Sequence, residues 1–279
     1  MGKAEQAFGE VLKARPNLRE EIVLQSKCGI RFEDDPGPKR YEYSKDWIVT
    51  SVENTLSRLN TEYLDLLLLH RPDPLMEEEE VAAAFDALFD SGKVKHFGAS
   101  NMSSVQMHHL NHYINQPLIA NQVEMSLTNL GFVDEGIYVG NPDGQHVNFT
   151  AGTLQYAKQN NIQMQSWGPA SQGKYTGAPA TLTAQEEATK KLVATLAQKY
   201  GVSPDAIVLA WLMRHPSNIQ PIVGSANPKR IKASAEAVTV TLTREDWYAL
   251  YVSAKGVKLP VSYTHLRAHE TEADLVCRL

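Results

Sequence analysis

The segment Leu64-Asp65-Leu66-Leu67-Leu68-Leu69 is apolar at five of its six positions, and the chain then turns abruptly polar at His70-Arg71-Pro72-Asp73-Pro74. A run of this length and composition reads as a strand buried on both faces, as in a parallel sheet covered by helices. The two prolines forbid its continuation. In such sheets the carboxyl ends of the strands build the active site, and His70 stands at that end.

The rest of the chain follows the same plan. The spacing predicts helices over 4–14, stopped by Pro16, and after Ser44, where Ile48, Val52, Leu56 and Leu59 form one stripe behind an N-capping hydroxyl. Strands are expected over 21–26, 64–69, 95–99, 118–123, 162–166 and 219–223. Further helices are expected over 77–91 (closed by Gly92), 103–113, 153–159, 184–200, 203–214 and 228–237, and from Thr243 to Ala254. Residues 127–152, with several Gly and Asn, read as a long loop or insertion.

About six strands, each followed by a helix, predict a parallel sheet with right-handed crossovers. A doubly wound sheet would carry a glycine-rich fingerprint after an early strand, and none is present. A (β/α)8 barrel needs eight strands, and an open six-stranded sheet would leave two unpaired edges. The expectation is therefore an α/β fold, a (β/α)8 TIM barrel lacking roughly its first two strands, over residues 1–260. Residues 261–279 show no helical or strand period and read as a non-native or disordered tail. His265 and His269 in that tail suit i, i+4 metal ligands, with Glu270 and Cys277 nearby, but two ligands at helical spacing are too few, and no metal is expected.

Composition narrows the function. A net charge of −5 gives no reason to expect nucleic acid or an anionic membrane as partner. Cys28 and Cys277 are the only cysteines, which fits a reducing cytoplasm rather than a disulfide framework. No basic-then-apolar leader opens the sequence, and no apolar run approaches a membrane span. Asn148-Phe149-Thr150 matches a glycosylation sequon, a pattern common by chance.

Lys27 follows the first expected strand and His70 the next. Consecutive parallel strands are neighbours about 5 Å apart, so both side chains reach one rim. Taken singly, a lysine after a strand is usually a solvated loop residue, and a histidine there a satisfied polar group; the pair on one rim is more telling. Ser100 and Asn101 follow another strand, and Gln122 lies within the next; side-chain amides there suit a planar amide, or else a cap and a core hydrogen bond. Trp167 offers a flat stacking surface, or a plain core aromatic. From Ile222 to Ile231 a strand passes into a helix through Gly224, Ser225, Asn227 and Arg230, a pattern that suits an anion as well as an ordinary capped helix.

Several motifs in order resemble the aldo-keto reductase superfamily, and within it the bacterial YdhF-like oxidoreductases. They are Ala7-Phe8-Gly9-Glu10, Ser26-Lys27-Cys28-Gly29, the run from Leu64 to Pro74, Ser91-Gly92-Lys93-Val94-Lys95-His96-Phe97-Gly98-Ala99-Ser100-Asn101, Asn121-Gln122-Val123-Glu124 and Gly224-Ser225. The resemblance implies a (β/α)8 barrel that binds NADPH and reduces small-molecule aldehydes or ketones, through a tetrad of Asp, Tyr, Lys and His. Lys27 matches the lysine and His70 the histidine. Ser100, Asn101 and Gln122 fall around the nicotinamide carboxamide and Trp167 against its ring, while Ser225 and Arg230, with Gly224 and Asn227 nearby, match the pocket for the adenosine 2′-phosphate. The matching region for the Asp and Tyr would precede Glu5, so the expectation is a fragment with little or no turnover. Two other functions remain open: an NADPH-binding redox-sensing subunit, and a Schiff-base aldolase using Lys27. The oligomeric state and the carbonyl substrate are not legible.

Overall fold

The computed structural model describes residues 2–34, 37–177 and 181–260. In chain order the strands are β1 (Gln25–Cys28), β2 (Ile30–Arg31), β3 (Arg40–Tyr41), β4 (Leu64–Leu69), β5 (Val94–Ser100), β6 (Leu118–Glu124), β7 (Gln163–Trp167) and β8 (Gln220–Pro221). The α-helices are α1 (Lys3–Ala14), α2 (Leu18–Glu21), α3 (Lys45–Leu59), α4 (Glu78–Asp90), α5 (Ser104–Leu110), α6 (Gly131–Ile137), α7 (Thr153–Gln159), α8 (Ala184–Tyr200), α9 (Pro204–Met213), α10 (Pro228–Ala235) and α11 (Arg244–Lys255). Contacts divide the chain into two compact units. The first runs to Glu124 and takes in Gly152–Gly168 and His215–Gly224; the second holds Met125–Ala151, Pro169–Arg214 and the described residues from Ser225 on.

The first unit contains a six-stranded parallel sheet in the order β1-β4-β5-β6-β7-β8. Its strand–helix alternation is that of a TIM barrel, but the barrel is not closed: among the described residues, β1 and β8 are free edges. Helices start where the sequence supplies caps. Ser44 accepts the Trp47 N–H at α3, and Ser103 forms a reciprocal capping box with Gln106 at α5. One face of the sheet packs on helices, with Phe97 of β5 stacked on Phe85 of α4 at a centroid distance of 3.9 Å. The other, inner face carries Leu66, Leu68 and Ala120 as a small apolar cluster. Gly98 makes that packing possible, because a Cβ there would lie 2.5 Å from a Leu68 methyl and 2.8 Å from the Ala120 carbonyl. The inner face is strongly rolled: the Gln25 and Gln165 amides bond each other at 3.0 and 3.1 Å, although three strands separate β1 from β7 in the sheet.

The second unit is helical. In it Trp211 and Trp247 stack at 5.2 Å, and each indole N–H donates to the other's carbonyl. Buried Asp134 of α6 accepts from the Tyr251 hydroxyl and the Lys255 amine of α11 at 2.5 and 2.6 Å.

Three expectations need correction, and one feature is new. The strand expected over 21–26 begins only at Gln25, since 18–21 form a short helix and Val23 is 79% exposed. The strand expected over 219–223 shrinks to Gln220–Pro221, where a proline cannot donate to a ladder. Residues 127–152 are not one loop: they hold α6 and the 3-10 turn Pro142–His146. The antiparallel pair β2–β3 was not anticipated; Arg31 and Arg40 tie it to Asp34 and Glu42. The tail 261–279, with His265, His269, Glu270 and Cys277, lies outside the described residues. No described helix is long and apolar enough to cross a membrane.

Candidate active site

The strand geometry brings Lys27 and His70 together. Lys27 stands opposite Leu68 in the β1–β4 register, and His70 follows Leu66 and Leu68 at the same inward-facing parity. The His70 N–H extends that ladder by donating to the Cys28 carbonyl at 3.0 Å. Both residues line one cavity of about 600 Å³, shared with Glu5, Arg31, Asp34 and Trp47. Tyr43 secures this corner. Its buried hydroxyl donates to the Arg71 carbonyl at 2.7 Å and accepts the Arg71 N–H at 3.1 Å. Gly29 (φ +99°) passes under the Tyr43 ring, where a Cβ would come within 2.1 Å of it.

The surroundings tune both groups toward neutrality. Burial, then the positive charge of Arg71, pushes the Lys27 amine below its ordinary range. Burial, then Lys27, Arg71 and Lys39, brings His70 down to about 4, so its imidazole is neutral at pH 7. The adjacent Cys28 thiol is pushed up to about 12 by burial and is not a nucleophile there. Burial also raises Tyr43, whose hydroxyl is committed to the Arg71 backbone.

The expected amide set converges beside this pair. Asn101, in the left-handed region at φ 59°, donates from Nδ2 to the His70 carbonyl at 3.2 Å and to Ser100 Oγ at 3.0 Å. Its Oδ1 accepts the Trp167 indole N–H at 3.0 Å, fixing that half-buried ring at the end of β7. Ser100 Oγ donates to the Gln122 carbonyl at 2.8 Å. Gln122 Oε1 accepts the Lys27 amine at 2.6 Å, and its Nε2 donates to Gln165 Oε1 at 2.9 Å. An amide oxygen has two lone pairs and an amide nitrogen two hydrogens, so beyond these bonds Asn101 keeps acceptor capacity and Gln122 both donor and acceptor capacity. That donor set fits a carboxamide.

The remaining expected residues lie elsewhere. Gly224 closes the first unit's last segment, while Ser225, Asn227 and Arg230 stand at the start of α10 in the second. Ser225 Oγ accepts the Asn227 N–H, and Asn227 Oδ1 caps the helix at the Lys229 N–H. Arg230 Nη2 donates to Asp205 at 3.2 Å and Thr176 at 3.3 Å. A guanidinium has three further N–H groups, which suits a phosphate.

Sequence reasoning missed Gln25, Gln165 and Gln220. Their signal was present as period-two spacing: Gln25 two residues before Lys27, and Gln165 two before Trp167, each sharing a face with a site residue.

Known proteins resemble this chain in sequence and in fold. The family model for aldo/keto reductases matches residues 1–251. Oxidoreductase YcsN of Bacillus subtilis is 36% identical, with 92% of this chain and 81% of that protein covered. Oxidoreductase YdhF of Escherichia coli is 35% identical (92% and 80%), and a 6-dehydroglucose reductase of Agrobacterium fabrum is 35% identical (91% and 79%). Among solved structures, the thermostable aldo-keto reductase Tm1743, determined with the inhibitor epalrestat, superposes with a TM-score of 0.70 at 22% identity, covering 90% of this chain and 78% of that one. The covered sheet, the strand-end lysine and histidine and these matches have one common account: the chain belongs to the aldo/keto reductase family.

Proposed function

We propose that this chain serves NADPH-dependent reduction of an aldehyde or ketone, with Lys27 and His70 acting on the carbonyl oxygen. The observation that carries this reading is the burial-depressed lysine and neutral histidine on one cavity at the carboxyl rim of the sheet. NADPH, when bound, supplies the hydride. Negative charge then grows on the carbonyl oxygen. The neutral His70 ring offers one N–H to that oxygen and orients it, and the Lys27 ammonium stabilises the charge. Ser100, Asn101 and Gln122 hold the carboxamide, and Trp167 flanks the ring. Gly224, Ser225, Asn227 and Arg230 receive the adenosine phosphate, with a guanidinium suited to a 2′-phosphate.

Protonation is the weak point. The resemblance assigns it to a tyrosine, but no tyrosine is among the described residues lining the cavity, and the Tyr43 hydroxyl is held by Arg71. Among the described residues the parallel sheet has six strands where the family barrel has eight, which supports the further reading that the barrel is incomplete in this chain. Turnover is then expected to be lower by about 10²–10⁴-fold than with the acid in place. The cysteine usage favours a cytoplasmic site of action.

The test is a fluorescence titration with NADPH and NADH, followed by NADPH oxidation over a panel of carbonyls. Two relatives bear the name 6-dehydroglucose reductase, so sugar-like aldehydes head the panel. The reading predicts micromolar NADPH binding that Arg230→Ala weakens more than NADH binding, and slow turnover that Lys27→Met abolishes. Binding without any turnover, even in a version carrying all eight strands, would favour a redox-sensing subunit. Borohydride trapping of substrate on Lys27 would favour an aldolase.

A further inference from the structure

A file of four glutamine amides crosses the inner face of the sheet and ends at Lys27. Gln122, Gln165 and Gln220 are direct register partners on β6, β7 and β8. Gln122 Nε2 donates to Gln165 Oε1 at 2.9 Å, and Gln165 Nε2 donates to Gln25 Oε1 at 3.0 Å and Gln220 Oε1 at 3.2 Å. Gln25 Nε2 returns a bond to Gln165 Oε1 at 3.1 Å. Gln165 thus uses both hydrogens and both lone pairs, and it is buried. Burying an amide in this way is costly unless every valence is met, so the four amides can reverse only together, and Lys27, whose ammonium can only donate, selects the sense in which Gln122 Oε1 faces it.

We propose that Gln165 is a positioning residue for Lys27, acting through Gln122: the file locks the Gln122 amide in the orientation that presents its carbonyl oxygen, rather than its amino group, to the lysine amine. A glutamine side chain is pseudo-symmetric, with an acceptor on one side and a donor on the other. With Gln165 Oε1 holding Gln122 Nε2, the Gln122 amide can turn only if the whole file reverses, so its Oε1 stays on the amine at 2.6 Å. That bond favours the ammonium form, against burial and Arg71. Without Gln165, Gln122 is free to turn its amino group toward Lys27, where two sets of donors oppose each other.

The charged and titratable groups around Lys27 are His70 and Arg71 after β4, Lys39 before β3, Cys28 beside it, and Glu5, Arg31, Glu33, Asp34 and Arg58 on the cavity wall. Of the four amides, Gln122 is the one hydrogen-bonded to Lys27 among the described residues, and Gln25 shares the strand and face of Lys27 two residues away. The inference rests on Lys27 being the functional amine, but its test does not need activity.

The experiment is the pH dependence of Lys27 acetylation by acetic anhydride in the full chain, read by peptide mass spectrometry, with Lys95 as internal reference. Gln165→Met keeps the volume and removes the polarity; it should lower the Lys27 midpoint by about half to one pH unit. Gln165→Glu, ionised over the alkaline range used, should raise it by about the same amount. Gln25→Leu, which removes only an anchor, should lower it less and serves if the Gln165 variants do not fold. Midpoints within about 0.2 unit of the parent in every folded variant overturn the proposal. Shifts of opposite sign together with undiminished turnover in Lys27→Met would support the positioning and refute the functional reading instead.

Discussion

Removing the Tyr43 hydroxyl isolates what holds the corner of the sheet where His70 stands. In Tyr43→Phe the ring still fills its buried site, so no cavity opens. What is lost is one bond of 2.7 Å to the Arg71 carbonyl, one of 3.1 Å from the Arg71 N–H and a long one of 3.5 Å to the Cys28 carbonyl, which the His70 N–H still meets. Each neutral hydrogen bond contributes about 1 kcal/mol net, and leaving two backbone groups without partners adds to that, so the expected cost is about 2–3 kcal/mol. At roughly 2–4 °C per kcal/mol for a protein of this size, the melting midpoint should fall by about 4–12 °C. The cleaner assay is urea unfolding followed by far-UV circular dichroism, where the midpoint should drop at an unchanged m-value. A loss below about 0.5 kcal/mol would refute the argument that the hydroxyl pins Arg71. A variant of parental stability whose residual turnover fell by orders of magnitude would refute it differently, since Tyr43 would then be the missing acid.

Other consequences follow from the same corner and its supports. Gly29→Ala should cost about 3 kcal/mol in urea unfolding, because the new methyl meets the Tyr43 ring in a left-handed backbone position. His70→Gln should lower residual carbonyl turnover by at least tenfold while leaving NADPH affinity within about twofold, read as kcat against Kd from fluorescence. His70, depressed to about 4, is protonated in the unfolded chain but not in the folded one between there and its ordinary value near 6.5. Stability should therefore fall as pH drops through that window, and His70→Gln should flatten the slope. At Asp65, burial raises the carboxyl, but the Leu24 N–H, Lys95 and Arg19 outweigh it and hold the group below its usual range. Its contribution is present above its unfolded value near 4 and is lost as pH falls through the folded one, so Asp65→Asn should lower stability at neutral pH and shrink the acid-induced loss.

The strand Leu64–Leu69 was legible because burial on both faces leaves an unbroken apolar run, and the helix starts at Ser44 and Thr243 because a capping hydroxyl is a local signal. Lys27 and His70 were legible as the polar ends of two neighbouring strands. The pair β2–β3 was not, because it is two residues long on each side and held by ion pairs among Arg31, Asp34, Arg40 and Glu42, which leave no apolar alternation. The Gln25–Gln165 contact joins residues 140 positions apart, and no local pattern announces a partner at that distance. Asn101 was read as a carboxamide ligand; that it also fixes the Trp167 indole and ties to the His70 carbonyl depends on a left-handed backbone the sequence only permits.

The side of β1 that no described strand covers gives Lys27 a second occupation. A sheet edge is a template on which any extended chain can add, and an inward-pointing charge is one of the ways proteins discourage that. Lys27 is the cation on this edge strand, and it points to the inner face. Replacing it with an apolar residue therefore removes the site's amine and, at the same time, an obstacle to strand addition. Inactivity in such a variant speaks about chemistry only when its sedimentation matches that of the parent; if it assembles into larger species, what has been measured is colloidal behaviour.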